Sequence, residues 1–375
     1  MKIIFICIYS HPSICGVWNR VYNLSKMLIK KGHEVYIFST TNIKGTSQNS
    51  LEYETFEGMQ IYRFKPFFSL GENVKFWNFF EKMKQINPDL IIAEVYRHPH
   101  TYYALKAAKK LNKPIFLTTH APFVASELRS DMANFMANFY DNHLGKKIIN
   151  QFDRIIVITK WEIPYFIDIG IDKEKISYIP NGIPPEFFKI KRTKGKGLLF
   201  FGRISQIKDI ECLIIALNKI VKDNPNIILK IVGPAEQKYK EKLTKLIKSL
   251  NLENNIIFLP PVYDLNKKIK TIDKSEIFIL PSKREAMPQS LIEAMARGKI
   301  VIASNNEGSR EIVENRNGFL FPISDSDKLS EIIKYSLNEK NEKKLNEIRR
   351  NAISKAETFN WEKVSKNFNN LIAKK

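Results

Sequence analysis

Two consecutive doubly wound α/β domains are the fold class that this sequence predicts. Three observations carry the prediction. Short runs are apolar throughout instead of alternating, amphipathic stretches separate them, and near residue 185 the texture breaks before the same alternation begins again. With 375 residues, the chain is long enough for each domain to bury its own core.

The first run, residues 2–9, is apolar after Lys2 and rich in β-branched side chains. Its position also suits a signal peptide, but no small-residue cleavage site follows and a patterned helix comes next, so it reads as a buried first strand. Residues 18–31 carry Val21, Leu24, Ser25, Leu28 and Ile29 on one helical face. Gly32 stops that helix, and 34–39 is the next strand. Strands follow at 90–93, 115–118 and 155–158, with helical patterns at 103–111 and 139–150. Residues 184–197 hold prolines, glycines and a basic run, which predicts an exposed connector. Beyond it, strands are expected at 198–201, 227–232, 256–259, 277–280 and 300–303, and helices at 209–221, 239–250, 291–297 and 328–337. A last helix, 361–373, presents Val364, Phe368, Leu371 and Ile372 and must dock somewhere. The domains are expected at 1–185, joined by the C-terminal helix 359–375, and at 186–358.

Composition narrows the function classes. Apolar and charged fractions of 44% and 26% rule out wholesale disorder. No run approaches the roughly 18 apolar residues of a transmembrane helix. Three cysteines without paired spacing fit a reducing cytoplasm. The net charge of +21 attracts polyanions, anionic membranes or phosphorylated substrates, although lysines written on every solvated face produce the same number. No module of base-stacking aromatics accompanies it, so nucleic acid is not an expected partner.

Open parallel sheets bind ligands at the carboxyl ends of their strands, so the residues after each strand are the candidates. Gly16, opening the first helix, lets backbone N–H groups reach a phosphate, although a plain turn explains it equally well. His120 ends the strand 115–118, where it serves a ligand hydroxyl or simply its own core. His98 and His100 lack further ligands at metal-binding spacing. Gly202, Arg203 and Lys208 set two permanent cations at a strand end beside a glycine, a pairing that holds a diphosphate and offsets charge on its departure. The strongest pattern is the stretch 281–298. Seven residues separate Glu285 from Glu293, an offset of eight positions that on one continuous helix leaves them about 80° apart. With Glu285 in a loop and Glu293 in the helix, both reach one extended ligand, and the helix start between them offers N–H groups to phosphate. Pro288 fits a first helical turn. Residues 305–311 form a polar turn that walls the same region. No phosphate loop, dinucleotide fingerprint or nucleophile elbow is found, and no Asp-x-Asp is read as the holder of a divalent cation. Anion charge falls to Arg203, Lys208 and backbone amides, and no metal or other cofactor is expected.

At these residues the chain resembles the retaining glycosyltransferases of the GT-B fold, glycosyltransferase family 4. The ordered motifs are Gly16, Gly32-His33-Glu34-Val35, His120, Ile179-Pro180-Asn181-Gly182, Gly202-Arg203 with Lys208, and Glu285 and Glu293 followed by Ala294-Met295-Ala296; Gly318 and the Trp361 helix complete them. The resemblance implies two Rossmann-like doubly wound parallel-sheet domains facing across a cleft. It implies that Gly16 lends an amide near the donor diphosphate, that His120 contacts a donor-sugar hydroxyl, and that Arg203 and Lys208 hold the diphosphate. Glu285 would orient the sugar and Glu293 accept from the ribose. Gly202, Met287, Gln289, Ser290 and Leu291 would complete the donor site. Departures are Cys15 in place of a second glycine, Ala286-Met287-Pro288 where the family commonly has Gly-Phe-Gly, and Glu276 as the acidic residue before the strand at 277.

The implied activity is retaining, metal-independent transfer of a sugar from a nucleotide-diphosphate donor to an acceptor hydroxyl, in cell-surface glycan, glycolipid or polysaccharide synthesis. UDP- or GDP-sugars are expected before ADP-sugars, and a sugar or lipid-linked molecule as acceptor. Phe67, Phe68, Phe76, Trp77, Phe79 and Phe80, with Lys75, Lys82 and Lys84 nearby, and Phe135, Met136, Phe139 and Tyr140 suit an anionic membrane surface or, equally, a core. The expected location is the cytoplasm, with peripheral contact at the inner face of the membrane. Two alternatives stay open: another GT-B enzyme, such as a sugar-nucleotide epimerase or a phosphorylase, and a non-catalytic nucleotide-sugar binder.

Overall fold

The computed structural model describes residues 1–72, 74–123, 131–193 and 195–373, the side chains of 131, 133, 134, 136 and 142 excepted. Contacts divide the chain into two compact units, Met1–Asn181 with Trp361–Lys375, and Gly182–Asn360.

The strands of the first unit are β1 (Lys2–Ile6), β2 (Glu34–Thr40), β3 (Tyr53–Phe56), β4 (Met59–Phe64), β5 (Phe68–Leu70), β6 (Val74–Phe76), β7 (Leu90–Glu94), β8 (Ile115–Thr118), β9 (Arg154–Val157) and β10 (Ile176–Tyr178). Eight of them make one sheet in the order β10-β9-β8-β7-β1-β2-β4-β3, and β5 pairs with β6 separately. The opening apolar run is thus a central strand, flanked by β2 and β7 in parallel register. Its uniform hydrophobicity has a simple cause. Ile4 and Ile6 enter one core with Phe38 and Ile91, whereas Ile3 and Phe5 enter the opposite core with Val35 and Ile37. The helix Trp361–Ala373 docks on that second face, with Trp361, Val364, Phe368 and Ile372 buried.

β3 and β4 form an antiparallel hairpin that the apolar runs do not announce. Phe56 pairs with Met59 across Glu57 and Gly58, both at positive φ (48° and 82°), the two-residue turn whose twist matches that of the strands. The helical pattern at 139–150 also resolves differently, into a helix Asp131–Tyr140, a π-turn Asp141–Gly145 and a short helix Lys146–Ile149. At the turn, a side chain on Gly145 would overlap the Tyr96 hydroxyl, and that hydroxyl donates to Asp141 at 2.9 Å.

The second unit is a six-stranded parallel sheet of β11 (Leu198–Phe201), β12 (Leu229–Val232), β13 (Ile256–Leu259), β14 (Ile277–Leu280), β15 (Ile300–Ser304) and β16 (Phe319–Phe321), in the order β13-β12-β11-β14-β15-β16. Among its helices, Leu265–Asp273 and Glu342–Glu357 were not anticipated. The expected connector needs correction. Only part of 184–197 is exposed: Phe187 is fully buried, and buried Arg297 donates to the carbonyls of Phe187, Ile190 and Lys191 while pairing with Asp273 at 2.6 Å. One guanidinium binds the segment to the second unit. Among the described residues, no helix is long and apolar enough to cross a membrane.

Lys299 lies beside Arg297, with its Nζ donating to the carbonyls of Asp273 (3.0 Å) and Thr193 (3.2 Å). Burial pulls its pKa down to about 8. The folded chain therefore releases this proton near pH 8, whereas the unfolded chain keeps it until about pH 10.4. The burial penalty applies fully below the folded value and disappears as pH rises through that window. The stability difference between wild type and Lys299→Met should shift in favour of wild type between pH 7 and pH 10. Urea unfolding at both pH values checks this, and a pH-independent difference would contradict it.

Candidate functional site

In the second unit, the loops after β11, β14 and β15 come together. The β11 loop begins with Gly202, whose amide donates to the Val232 carbonyl at 3.0 Å. Gly233 crosses so closely, at φ 146°, that a Cβ on it would lie 2.0 Å from the Gly202 oxygen. The chain then turns through Gln206–Lys208 and sends the Lys208 ammonium to Glu285, on the loop after β14, at 2.5 Å. Ser282 donates to the same Glu285 oxygen at 2.6 Å. Among the described residues, Glu285 Oε2 takes no partner. Arg203 stands exposed at the β11 end without an ion pair among those residues.

Glu293 sits in the helix Gln289–Ala296, with Oε1 accepting from Lys268 at 2.6 Å and Oε2 buried without a partner. Burying a carboxylate oxygen unpaired is costly, so this one is suited to a ligand hydroxyl. Ser205 Oγ, beside the cations, is likewise buried and unpartnered. No side chain caps the helix Gln289–Ala296 at Pro288. Ser290 is half-buried in its first turn, Met287 is buried, and Gln289 donates to the Gly182 carbonyl at 3.3 Å. Leu291 differs from its neighbours, because its side chain is wholly in the core and its amide donates to the Pro288 carbonyl.

The segment 305–311 after β15, expected as a polar turn, instead forms a short helix Glu307–Ile312 capped by the Asn306 side chain, and it meets the β14 loop through side chains and backbone alike. Asn306 Nδ2 and Ser304 Oγ both donate to the Ser282 carbonyl. Gly308 presses on the carbonyls of Glu285 and Ala286 so closely that a Cβ would lie 2.5 and 2.6 Å away. An Asp-x-Asp does occur, at Asp325-Ser326-Asp327, but it starts a helix: Asp325 accepts from the Lys328 amide and Asp327 pairs with Lys219.

In the first unit, Gly16 opens the helix Gly16–Ile29 with empty space where a Cβ would stand, and Cys15 caps it through Sγ. His120 follows β8 at φ 59°. Its Nε2 meets Glu94 Oε2, at the end of β7, at 2.5 Å. The neighbouring residues Thr119 and Ala121 both donate to Glu162. Burial pushes the Glu162 carboxyl up, although Ile158 and Thr159 also donate to it. Sequence reasoning passed over Glu94, Glu162 and Lys268; a glutamate closing the apolar run 90–93 was a signal for the first, and Thr159-x-x-Glu162, a helix-start spacing, for the second. His100 is buried, donates from Nε2 to the Glu94 carbonyl at 2.7 Å and stacks on Trp77, and burial pulls its pKa down to about 3.

The aromatic segments divide. Trp77 and Phe79 are core, and Lys75 is buried. Phe67, Phe68 and Leu70 of the β5–β6 hairpin are 55–67% exposed, as are Met132, Phe135 and Phe139 to a similar degree (52–69%) on the helix Asp131–Tyr140. The Met136 side chain lies outside the described ones.

Carboxylate oxygens open to hydroxyls, cations, and uncapped helix amides in one loop cluster suit a polyhydroxylated anion. Residues 183–355 match the family model of glycosyl transferases group 1, and residues 14–187 that of glycosyltransferase family 4. An uncharacterised glycosyltransferase of Methanocaldococcus jannaschii is 29% identical over 99% of this chain and 98% of its own. The alpha-monoglucosyldiacylglycerol synthase of Streptococcus pneumoniae is 23% identical over 81% and 71%. Among solved structures, Anabaena HepE in complex with UDP superposes with a TM-score of 0.77, at 21% identity and full coverage of both chains.

The approach of Gly308 to Glu285 yields a stability test. Alanine in a helix normally gains about 1 kcal/mol over glycine, but here its methyl must push back two carbonyls. Gly308→Ala is expected to lose about 1–3 kcal/mol in urea unfolding; a neutral or stabilising result would mean that the Glu285 loop yields freely.

Proposed function

The chain belongs to the group 1, family 4 glycosyl transferases, enzymes of the GT-B fold, and from that premise we propose retaining, metal-independent transfer of a sugar from a nucleotide-diphosphate donor to an acceptor hydroxyl. The observation that carries this reading is the meeting of Lys208 with Glu285, together with the unpartnered buried oxygen of Glu293 on the helix that follows the same loop.

Arg203 and Lys208 hold the diphosphate, with amides of the helix Gln289–Ala296 and of Gly16. Glu285 takes sugar hydroxyls on its open oxygen, Glu293 takes ribose hydroxyls, and His120 meets a further sugar hydroxyl. Gly202 gives access, and Met287, Gln289 and Ser290 wall the donor. The bond from the anomeric carbon to the diphosphate oxygen breaks through an oxocarbenium-like state, and the acceptor oxygen attacks from the same face. Its proton passes to the departing phosphate oxygen, so retention needs no carboxylate nucleophile. Charge on the leaving group is met by the two cations, fixed in place before reaction.

UDP is the favoured donor nucleotide, since the structural neighbour HepE is solved with UDP and with UDP-glucose; GDP comes next, ahead of ADP. A lipid-linked acceptor is supported by the lipid named for the streptococcal relative and by the exposed Phe67, Phe68 and Leu70 on a chain of net charge +21. Such a surface suits peripheral contact with an anionic membrane on its cytoplasmic side, in glycolipid or polysaccharide synthesis.

Release of nucleotide from a panel of UDP-, GDP- and ADP-sugars tests the donor reading. Lys208→Ala and Arg203→Ala should each lower turnover about 10²–10³-fold, by analogy with removal of one oxyanion donor; unchanged turnover would falsify the mechanism. Wild type should co-sediment with phosphatidylglycerol vesicles at low salt, and a Phe67→Ser, Phe68→Ser variant several-fold less. A wild type that stays in the supernatant refutes membrane contact.

A further inference from the structure

His120 is held more firmly than a histidine that merely fills space. It and Ala121 both take left-handed backbone angles, φ 59° and 51°, a conformation that non-glycine residues hold only where the surroundings enforce it. Glu162 enforces it. One carboxylate oxygen accepts from Ala121 N at 2.9 Å and from the Thr119 hydroxyl, and the other from Ile158 N and Thr159 N, each at 3.0 Å, and from the Thr159 hydroxyl at 2.8 Å. Thr119 N is also tied, to the Ile156 carbonyl at 3.0 Å. Both neighbours of His120 are therefore anchored to one buried group.

The ring is fixed separately. Glu94 is fully buried, and its residue pairs with Thr118 across β7 and β8. Oε1 accepts from the Thr118 hydroxyl at 3.2 Å, which turns Oε2 to His120 Nε2 at 2.5 Å. Fully buried Arg20 lies within electrostatic reach of Glu94 and Glu162. Among the described residues, the His120 ring has no other hydrogen-bond partner.

We infer that Glu94 is a positioning residue that takes the Nε2 proton of His120 and so presents Nδ1 as a hydrogen-bond acceptor to a sugar hydroxyl. The reasoning is a matter of valence. A carboxylate only accepts, so the nitrogen it meets must carry the hydrogen, and in a neutral imidazole the opposite nitrogen is then an acceptor. A ligand group at Nδ1 must donate, which selects a hydroxyl and refuses an ether or a phosphate oxygen. This inference rests on the donor reading above for the identity of the ligand, but the tautomer is a property of the protein alone.

Two measurements separate those dependences. Nitrogen-15 NMR of the full chain at alkaline pH, with His120 assigned by its loss in His120→Ala, should show hydrogen on Nε2 only. Hydrogen on Nδ1, or on both nitrogens, overturns the inference whether or not a donor is known. In Glu94→Gln the single tautomer should give way to a mixture, and turnover should fall about 10–100-fold, as for other partners that orient a functional histidine. An unchanged tautomer in that variant assigns the orientation elsewhere and overturns the role of Glu94. For UDP-glucose analogues carrying hydrogen or fluorine at one hydroxyl in turn, the position whose loss is insensitive to His120→Ala is not the one facing the ring. At the position that is sensitive, fluorine should be as damaging as hydrogen, because fluorine cannot donate. Recovery of activity with fluorine means that His120 donates, and overturns the proposal. Failure of every nucleotide sugar with wild type refutes the donor reading and leaves the NMR result to decide the tautomer.

Discussion

Backbone approaching backbone, with no room for a Cβ, is the constraint on which the loops at the strand ends of the second unit depend. Gly233 passes within 2.0 Å of the Gly202 oxygen at its would-be Cβ, and Gly308 similarly abuts Glu285 and Ala286. The first contact joins the segments after β11 and β12, the second those after β14 and β15. Between the two pairs, the Lys283 amide donates to the Ile207 carbonyl at 2.9 Å, and Lys208 beside it reaches Glu285 at 2.5 Å. Asn306 and Ser304, both donating to the Ser282 carbonyl, hold the segment after β15 in place. A bulkier residue at either glycine acts on the site through the main chain, not through chemistry of its own.

The first unit solves a different problem, that of placing charge inside a parallel sheet. Glu94, Glu162 and Arg20 are all fully buried there. Glu162 is compensated by donors from two stretches of chain, 119–121 and 158–159, whereas Arg20 is met only at Nη1, by the Pro180 carbonyl and Asn181 Oδ1. Burial nevertheless pulls the Arg20 guanidinium down to about 10. Such groups cost stability unless well paired. Here they fix His120 and the segment carrying Pro180 and Asn181, two of the places where the chain resembles its family. Away from these groups the centre of the sheet is built from apolar side chains such as Ile3, Phe5, Val35, Ile37 and Ile92.

Departures from expectation share a cause. The basic stretch at 184–197 looked like a connector because its composition is polar, yet Phe187 is buried and Arg297, more than a hundred residues later, collects its carbonyls. The aromatic cluster at 66–80 was readable as exposed surface or core, and it divides: Trp77 and Phe79 face inward while Phe67 and Phe68 remain exposed. The helix Glu342–Glu357 escaped notice because only Leu345, Ile348, Ala352 and Ala356 are buried, a narrow stripe among charges. Glu162 was hidden in a helix start, and Lys268 in a lysine-rich helix that resembles many others in this chain.

Local pattern was sufficient for two parallel α/β units, for the strands that form their centres, and for the candidates His120, Arg203, Lys208, Glu285 and Glu293. These are properties of short stretches: uniform hydrophobicity where both faces of a strand are covered, and polar residues where a strand ends. Which partners those side chains meet was decided only in three dimensions. Lys208 with Glu285, Lys268 with Glu293 and His120 with Glu94 join residues 77, 25 and 26 positions apart. Such pairings follow from strand order and from which loops can approach, and no periodicity along the chain encodes them.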